Sequence, residues 1–486
     1  MGQYFSQALE APPTVETFDD FITRFRTLIR GLYFNRRDQQ WLLNISAEFN
    51  PTPSAAGEWD ESSLSRFLRT LVPEPLWPDL ENSIPLLHRS LARLGSFPYH
   101  NAPPRPLTVD TALVAIAVMS FECNRKWLRF DQCAASEAAE EQQTQRWAHR
   151  VLFQSMSVAK VAAAGPAESR TDADDEDLLR AYQLVQEANQ TRDWERNPTV
   201  VRHGDPIIPV QHLPSSQSRN MSGIIPRSEF ESLLKLLLHF QLYLAGEPVA
   251  DQSLDVAVDS VLGAFLPADA DESSDIEWDA FEAATNAIGP NLFLNIGYLG
   301  SPIEEPNDLK PTNPFNVKDM ALWVEQTFLP PKHTGLPTGA ILNSASLSQL
   351  LAILPRSFVF TPTTSVSSFQ NGEFNIGVLH QHLTSGQRPI ILLISSAGSS
   401  VLAGAVFPAE ESENHEGLVW QLVPTLKVAR SQGDAIQTTL DRSASQLTVS
   451  IGASRICLWE DGRAEICGFG GLTLQFLIEA MEVIFV

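Results

Sequence analysis

Apolar residues near the start of the chain recur every third or fourth position: Phe18, Phe21, Ile22, Phe25, Leu28, Ile29 and Leu32. This interval stacks them on one face of an amphipathic helix. Leu64, Phe67, Leu68 and Leu71 repeat it, and apolar stretches follow at 84–94 and 113–119. Residues 15–163 are therefore expected to form a helical domain. Across 164–225 the texture turns acidic and polar, with Asp172, Asp174, Asp175, Glu176 and Asp177, then Ser215, Ser216 and Ser218. This stretch reads as a linker with a short helix at 178–190. A second helical block, 226–300, opens on Ser228 and Glu231, the spacing of a capping box, ahead of Leu233, Leu234, Leu236, Leu237 and Leu238. Residues 301–340, with Pro302, Pro306, Pro311, Pro314, Pro330, Pro331 and Pro337, form a Pro-rich connection.

From 341 to 486 short β-type runs alternate with turns, at 358–360, 390–394, 401–407, 418–423, 447–451, 456–459 and 464–467, with one helix at 346–351. Residues 389–408 carry no charge, but small and polar residues at 395–400 split them into two apolar halves. That pattern suits a buried hairpin better than a membrane span. No other segment is apolar enough to cross a membrane, so the expectation is a chain that can be anchored to one without crossing it. Asp461-Gly462 is a hairpin turn signal. A two-residue turn there sets Cys457 opposite Ile466, so that Cys457 and Cys467 point to opposite faces and do not bridge. The fold class read from the pattern is α+β, a helical amino-terminal half followed by a two-sheet β domain.

Charge changes this picture. Against 34 Lys and Arg stand 58 Asp and Glu, a net −24. Such a balance excludes broad, phosphate-driven nucleic-acid binding, which needs clustered cations. Hydrophobic residues at 43% suffice for real cores. Cys123, Cys133, Cys457 and Cys467 form no C-x-x-C pair, which argues for a reduced, intracellular protein without a zinc site. Residues 1–14 begin Met1-Gly2-Gln3-Tyr4-Phe5-Ser6, the pattern of N-myristoylation at Gly2. One acyl chain gives binding of only about 10⁴ M⁻¹, so a second signal is required. Arg24, Arg26, Arg30, Arg36 and Arg37 supply positive charge at that end. With acid concentrated elsewhere, membrane contact is expected through the amino-terminal end alone.

Two stretches have the outline of a calcium-binding EF-hand loop. Around Gly57 and Trp59, the ligand positions hold Thr52, Ser54, Ala56 and Ser63, none of them a carboxylate. The second has Asp269, Asp271 and Ser273 at the first, third and fifth positions, but Ser274 replaces the turn glycine and Ala280 the final Glu. Calcium needs several charged oxygens, so both loops read as degenerate EF-hand-like pairs, with Asp269, Asp271 and Ser273 the weak metal candidates. No phosphate-binding, dinucleotide, nucleophile-elbow or zincin motif occurs. Gly468-Phe469-Gly470-Gly471 reads as a turn, and His380 and His382 lack a third ligand nearby. No catalytic residue and no cofactor is assigned. An interaction protein is favoured over an antioxidant or hydrolytic enzyme in the β domain, or a calcium-gated adaptor.

The carboxyl-terminal residues resemble a TLDc domain, the module of the oxidation-resistance proteins. The resemblance runs through Leu354-Pro355, Phe358-Val359-Phe360, a Ser-rich loop at 365–369, a helix at 375–383, the hairpin strand at 390–394, Ala403-Gly404-Ala405-Val406-Phe407, Trp420-Gln421-Leu422-Val423-Pro424 and a closing strand with Glu482-Val483. Ile484-Phe485 stands where the pattern has Trp-Gly, and Val366 where a glycine is usual. The amino-terminal half, through Leu94-Gly95-Ser96-Phe97-Pro98-Tyr99, Gly57-Glu58-Trp59, Ile276, Trp278 and Phe281, and Pro290, Leu292 and Phe293, is similar to the fungal restriction of telomere capping protein 5 family. The resemblance implies a TLDc β-sandwich with flanking helices and a non-enzymatic regulator tied to oxidative-stress tolerance. It implies as partners the subunits of the vacuolar proton-pumping ATPase, and as location the cytoplasm, peripheral on a vacuolar or endolysosomal membrane.

Overall fold

The computed structural model describes residues 23–28, 57–98 (bar 70 and 71), 105–119, 137–158, 177, 181, 223–245, 254–288 (bar 268, 269, 272 and 273), 292–293, 341–354 (bar 342), 360, 364–370, 375–384, 389–396, 401–407, 417–430 (bar 424) and 436–486 (bar 452, 470 and 471). The chain is α+β, helices first and an antiparallel sheet system last.

Among the described residues, the longer α-helices before the first strand are α1 (Glu61–Arg69), α2 (Trp77–Leu94), α3 (Val109–Met119), α4 (Glu137–Met156), α5 (Arg227–Leu244), α6 (Asp255–Ala264), α7 (Trp278–Ile288) and α8 (Ser344–Ile353). Helix α2 is the hub, packing on α1, α3, α4 and α5. Its apolar stripe (Leu80, Ile84, Leu87, Leu94) is buried, as the three-and-four spacing requires. Its polar residues reach partners far along the chain. The Ser83 hydroxyl donates to Ser232 O at 3.0 Å. Arg93 donates to Gln154 O at 3.1 Å, and Arg89 to Met156 O at 3.0 Å, so two guanidiniums cover the carbonyl end of α4. Gly95 follows α2 at its closest approach to α3, where a Cβ would lie 2.5 Å from Thr111 O. Helix α5 begins without a side-chain cap from its own sequence. The capping box expected at Ser228 and Glu231 is absent because the helix starts at Arg227, which places Ser228 inside the first turn; Asp275, from the loop before α7, accepts from Arg227 N at 3.1 Å.

Residues 23–28 are helical. Phe25 is fully buried against Phe97, ring centroids 5.9 Å apart. Arg26, counted above as a membrane-facing cation, turns inward and donates to Gly95 O at 2.9 Å. Burial, reinforced by Arg105, lowers its pKa to about 10. Arg24 is exposed, and Arg30, Arg36 and Arg37 lie outside the described residues, as does Gly2.

The strands are β1 (Ser365–Gln370), β2 (Ile390–Ser396), β3 (Leu402–Phe407), β4 (Leu418–Val423), β5 (Lys427–Arg430), β6 (Gln437–Asp441), β7 (Gln446–Ile451), β8 (Ser454–Trp459), β9 (Arg463–Phe469) and β10 (Leu472–Phe485), with helix α9 (Ile376–Leu383) between β1 and β2. All pairings are antiparallel in the order β5-β4-β3-β2-β10-β9-β8-β7-β6, with β1 on β10. Strand β10 belongs to two sheets. Its first half pairs with β9, its second with β2 and β1, and a register shift between Ile478 and Ala480 separates the halves.

The two sheets face each other across one apolar core. Leu392, Ile394, Ala403, Ala405, Val419, Met481 and Val483 meet Leu447, Val449, Ile456, Leu458 and Ile466. The opposite face of the β1–β5 sheet (Ile391, Leu393, Val406, Leu418, Trp420, Ile484) is continuous with the helical core of Leu234, Leu237, Val258, Val261, Leu350 and Leu351. Helices, first sheet and second sheet thus make three layers. The charge-free stretch at 389–408 is the hairpin β2–β3, at the centre of the first sheet. Every residue of both strands is buried, which removes the usual alternation. Among the described residues no helix is long and apolar enough to cross a membrane.

Two details of the sheets also differ from expectation. Ser365–Gln370, read as a loop, is an edge strand, because pairing with β10 overrides the weak β preference of serine. The β8–β9 hairpin sets Cys457 opposite Glu465, not Ile466. Gly462, at φ 84°, follows a turn closed by Gly462 N on Trp459 O at 3.0 Å, giving a three-residue loop instead of two. The extra residue flips the register by one, so Cys457 and Cys467 share a face; neither is bridged.

Candidate functional site

Two loops invite a cation test. In the first, Gly57 adopts φ 65° and Trp59 N donates to Leu107 O at 2.7 Å. Trp59 O meets His88 Nε2 at 2.8 Å, and the indole is buried against Phe67 at 4.9 Å. Asp60 then starts α1, its Oδ1 accepting from Ser63 N at 2.7 Å and from the Ser62 hydroxyl at 3.1 Å. The Ser63 hydrogen bonds hold this carboxylate below its usual range. The residues at the ligand positions Thr52, Ser54 and Ala56 lie outside the described residues.

In the second loop, Ile276 pairs with Ile225 through both backbone groups, at 2.9 and 3.0 Å. Asp271 Oδ1 accepts from the Ser274 hydroxyl at 2.8 Å, and Asp271 O from Arg227 at 3.1 Å. Asp275 is engaged by the start of α5. Its carboxylate and that of Asp271 therefore already have protein donors, one from the loop and one from the adjoining helix. Asp269 and Ser273 lie outside the described residues. Ala280 falls within α7 and offers no bidentate carboxylate. Among the described residues no group of three or more His, Cys, Asp or Glu is arranged to hold a metal ion. Calorimetric titration with millimolar calcium should give no binding heat; a saturable exotherm would show that the loop still recruits the ion.

Other polar groups are brought together that the sequence did not suggest. Asp177, in the acidic stretch, is fully buried. Its Oδ1 accepts from Trp147 Nε1 at 2.8 Å and from Arg150 at 2.7 Å. His239 of α5 meets Asp79 of α2, Nδ1 to Oδ2 at 2.6 Å, both nearly buried. Glu482 of β10 is buried, and its Oε1 accepts from Ile341 N at 3.3 Å and from the Ser368 hydroxyl at 3.4 Å. It thereby ties β1 and the approach to α8 onto one strand. His380 and His382 lie on α9, where His382 packs edge-on against Phe485 at 5.4 Å. Cys467 Sγ lies 3.1 Å from Glu465 Oε1 and 3.3 Å from Arg455 Nε. Burial raises the thiol's pKa.

His149 of α4 is buried beside Asn286 of α7, and burial lowers its pKa to about 4, against a weaker upward pull from Asn286. The folded imidazole is neutral, so on acidification the unfolded chain takes up the proton first. Stability should fall between about pH 6.5 and 4, by about 3 kcal/mol in total. Urea midpoints across that range should drop more steeply for the wild type than for His149→Gln. Parallel pH profiles would contradict it.

The chain is similar to several curated proteins. The chain is 21% identical over 442 residues to restriction of telomere capping protein 5 of Sordaria macrospora, covering 85% of this chain and 66% of that protein. It is 23% identical over 357 residues to the protein of the same name from Colletotrichum graminicola, and 24% over 383 residues to that from Pyricularia oryzae; each match covers 69% of this chain and 54% of the relative. The chain spans about half to two thirds of the length of these curated relatives. No protein-family model matches it, and no solved structure does.

Proposed function

We propose that this chain is a non-enzymatic interaction protein in which a TLDc-type β-sandwich is carried on a body of EF-hand-like helix pairs. The observation that carries this reading is the continuous core joining the helices to the first sheet, combined with a likeness to restriction of telomere capping protein 5 that covers 85% of the chain. Such a body presents one fixed arrangement of surfaces. The EF-hand-like reading is supported by Gly57 at φ 65° and by the backbone hydrogen bonds of the two central residues, Trp59 N to Leu107 O and Ile276 with Ile225. In this reading the loops keep the shape of calcium sites, the first without a carboxylate at its ligand positions and the second with Asp271 and Asp275 engaged by protein donors.

The partner is the cytosolic sector of the vacuolar proton-pumping ATPase, as the TLDc resemblance implies, and the activity is regulation of pump assembly. A myristate on Gly2 places the chain on the cytoplasmic face of a vacuolar or endolysosomal membrane. Fractionation of vacuolar membranes tests the anchor. The wild-type chain should sediment with the membrane and with pump subunits, whereas Gly2→Ala should move largely to the soluble fraction. Unchanged sedimentation of Gly2→Ala would remove the anchor from the mechanism.

A further inference from the structure

The ends of the two sheets are not protected equally. At β5, Lys427 and Arg430 place two cations on a strand that α7 packs against. At β6, α9 packs on the strand, which ends in Asp441. The first half of β10 ends at the register shift between Ile478 and Ala480, which breaks the line of its edge. Strand β1 has none of these devices. Its sequence, Ser365-Val366-Ser367-Ser368-Phe369-Gln370, contains no charge and no proline. Its ladder on β10 runs without interruption from Ser365↔Phe485 to Gln370↔Ala480. Among the described strands, β10 is its only neighbour. Natural sheets blunt such edges because the outward backbone groups are a template for another strand.

We infer that β1 is a docking edge for an extended segment of another protein, which adds to the first sheet as a further strand. The inference rests on the interaction-protein reading and specifies the shape of the partner. The neighbours of the edge define the segment's chemistry. Val366 is half-buried against the helical core, and Phe369 is half-buried against the core between the sheets. They lie on opposite faces, so an added strand extends both cores when it carries two apolar side chains three residues apart. The chain carries a net −24, so a segment with a Lys or Arg is favoured over an acidic one. A second copy is the poorer occupant, because each copy carries a net −24.

The test uses the purified full chain and a short synthetic peptide with two valines three apart in a threonine background and a lysine at one end. Binding is read by hydrogen exchange at residues 365–370. The peptide should protect these amides. Exchanging its lysine for glutamate should weaken binding about threefold, the size of one exposed ion pair, and proline in place of both valines should abolish it. Ser367→Pro should remove the protection, and Ser365→Lys, at an exposed position of the strand, should weaken it. No protection at 365–370, protection unchanged by the prolines, or protection that grows with protein concentration alone would overturn the inference. No pump is present in this experiment, so its failure is separable from failure of the proposed partner.

Discussion

Gly404→Val should leave the chain unable to hold its three-layer arrangement. Gly404 lies in β3 directly across from Trp420, a fully buried side chain where the helices meet the first sheet. A Cβ at 404 would stand 1.9 Å from Leu392 O on β2 and 2.6 Å from the Trp420 ring. Overpacking by a methylene costs about 1–3 kcal/mol when neighbours can rotate away. The Leu392 carbonyl is part of the central ladder and cannot. The expected loss exceeds about 4 kcal/mol, a large share of a domain's usual stability. Urea unfolding followed by tryptophan fluorescence should show Gly404→Ala already unfolding at much lower denaturant and Gly404→Val with no native baseline. Gly404→Ala combined with Trp420→Leu should recover only the part due to the ring. A Gly404→Val protein with the wild-type midpoint would show that the strands are not packed as described.

Removing the guanidinium of Arg430 should loosen the joint between helices and sheet. From the edge strand β5, its Nε donates to Ala287 O at 2.9 Å, and one terminal nitrogen donates to Ile288 O and, at 2.9 Å, to Ile353 O. These carbonyls end α7 and α8, where backbone acceptors have no partner within the helix and the dipole favours a cation. Arg430→Met keeps the apolar stem and deletes every donor, at an expected cost of about 2–4 kcal/mol. Arg430→Lys should recover less than half, because an ammonium cannot reach two helix ends in a fixed fork. Hydrogen exchange should accelerate in the last turns of α7 and α8 ahead of the β2–β3 hairpin. Uniform acceleration across the chain would mean that Arg430 supports overall stability without a particular hold on this joint.

The sequence made some of this architecture legible and hid the rest for identifiable reasons. The β2–β3 hairpin was readable because two apolar runs flank Ser395, Ser396, Gly398 and Ser399, and the helices of the hub were readable from their spacing. The start of α5 was not, since its cap is Asp275, nearly fifty residues along the chain. Strand β1 was hidden by serines that only the β10 ladder makes extended. The β8–β9 register depended on whether Gly462 sits inside a two-residue turn or ends a three-residue one. At the candidate site, Asp271 could be named from loop spacing, but not the use of its carboxylate by Ser274. Asp177, His239 and Glu482 carried no local signal, because their partners come from other helices and strands.

The partner proposed for this body is the cytosolic sector of the vacuolar proton-pumping ATPase. Size-exclusion chromatography of the purified full chain with that purified sector tests it most directly, with and without ATP. Co-elution is expected in at least one nucleotide condition, and its loss when the fold is broken by Gly404→Val. Separate elution of the two under both conditions would contradict it.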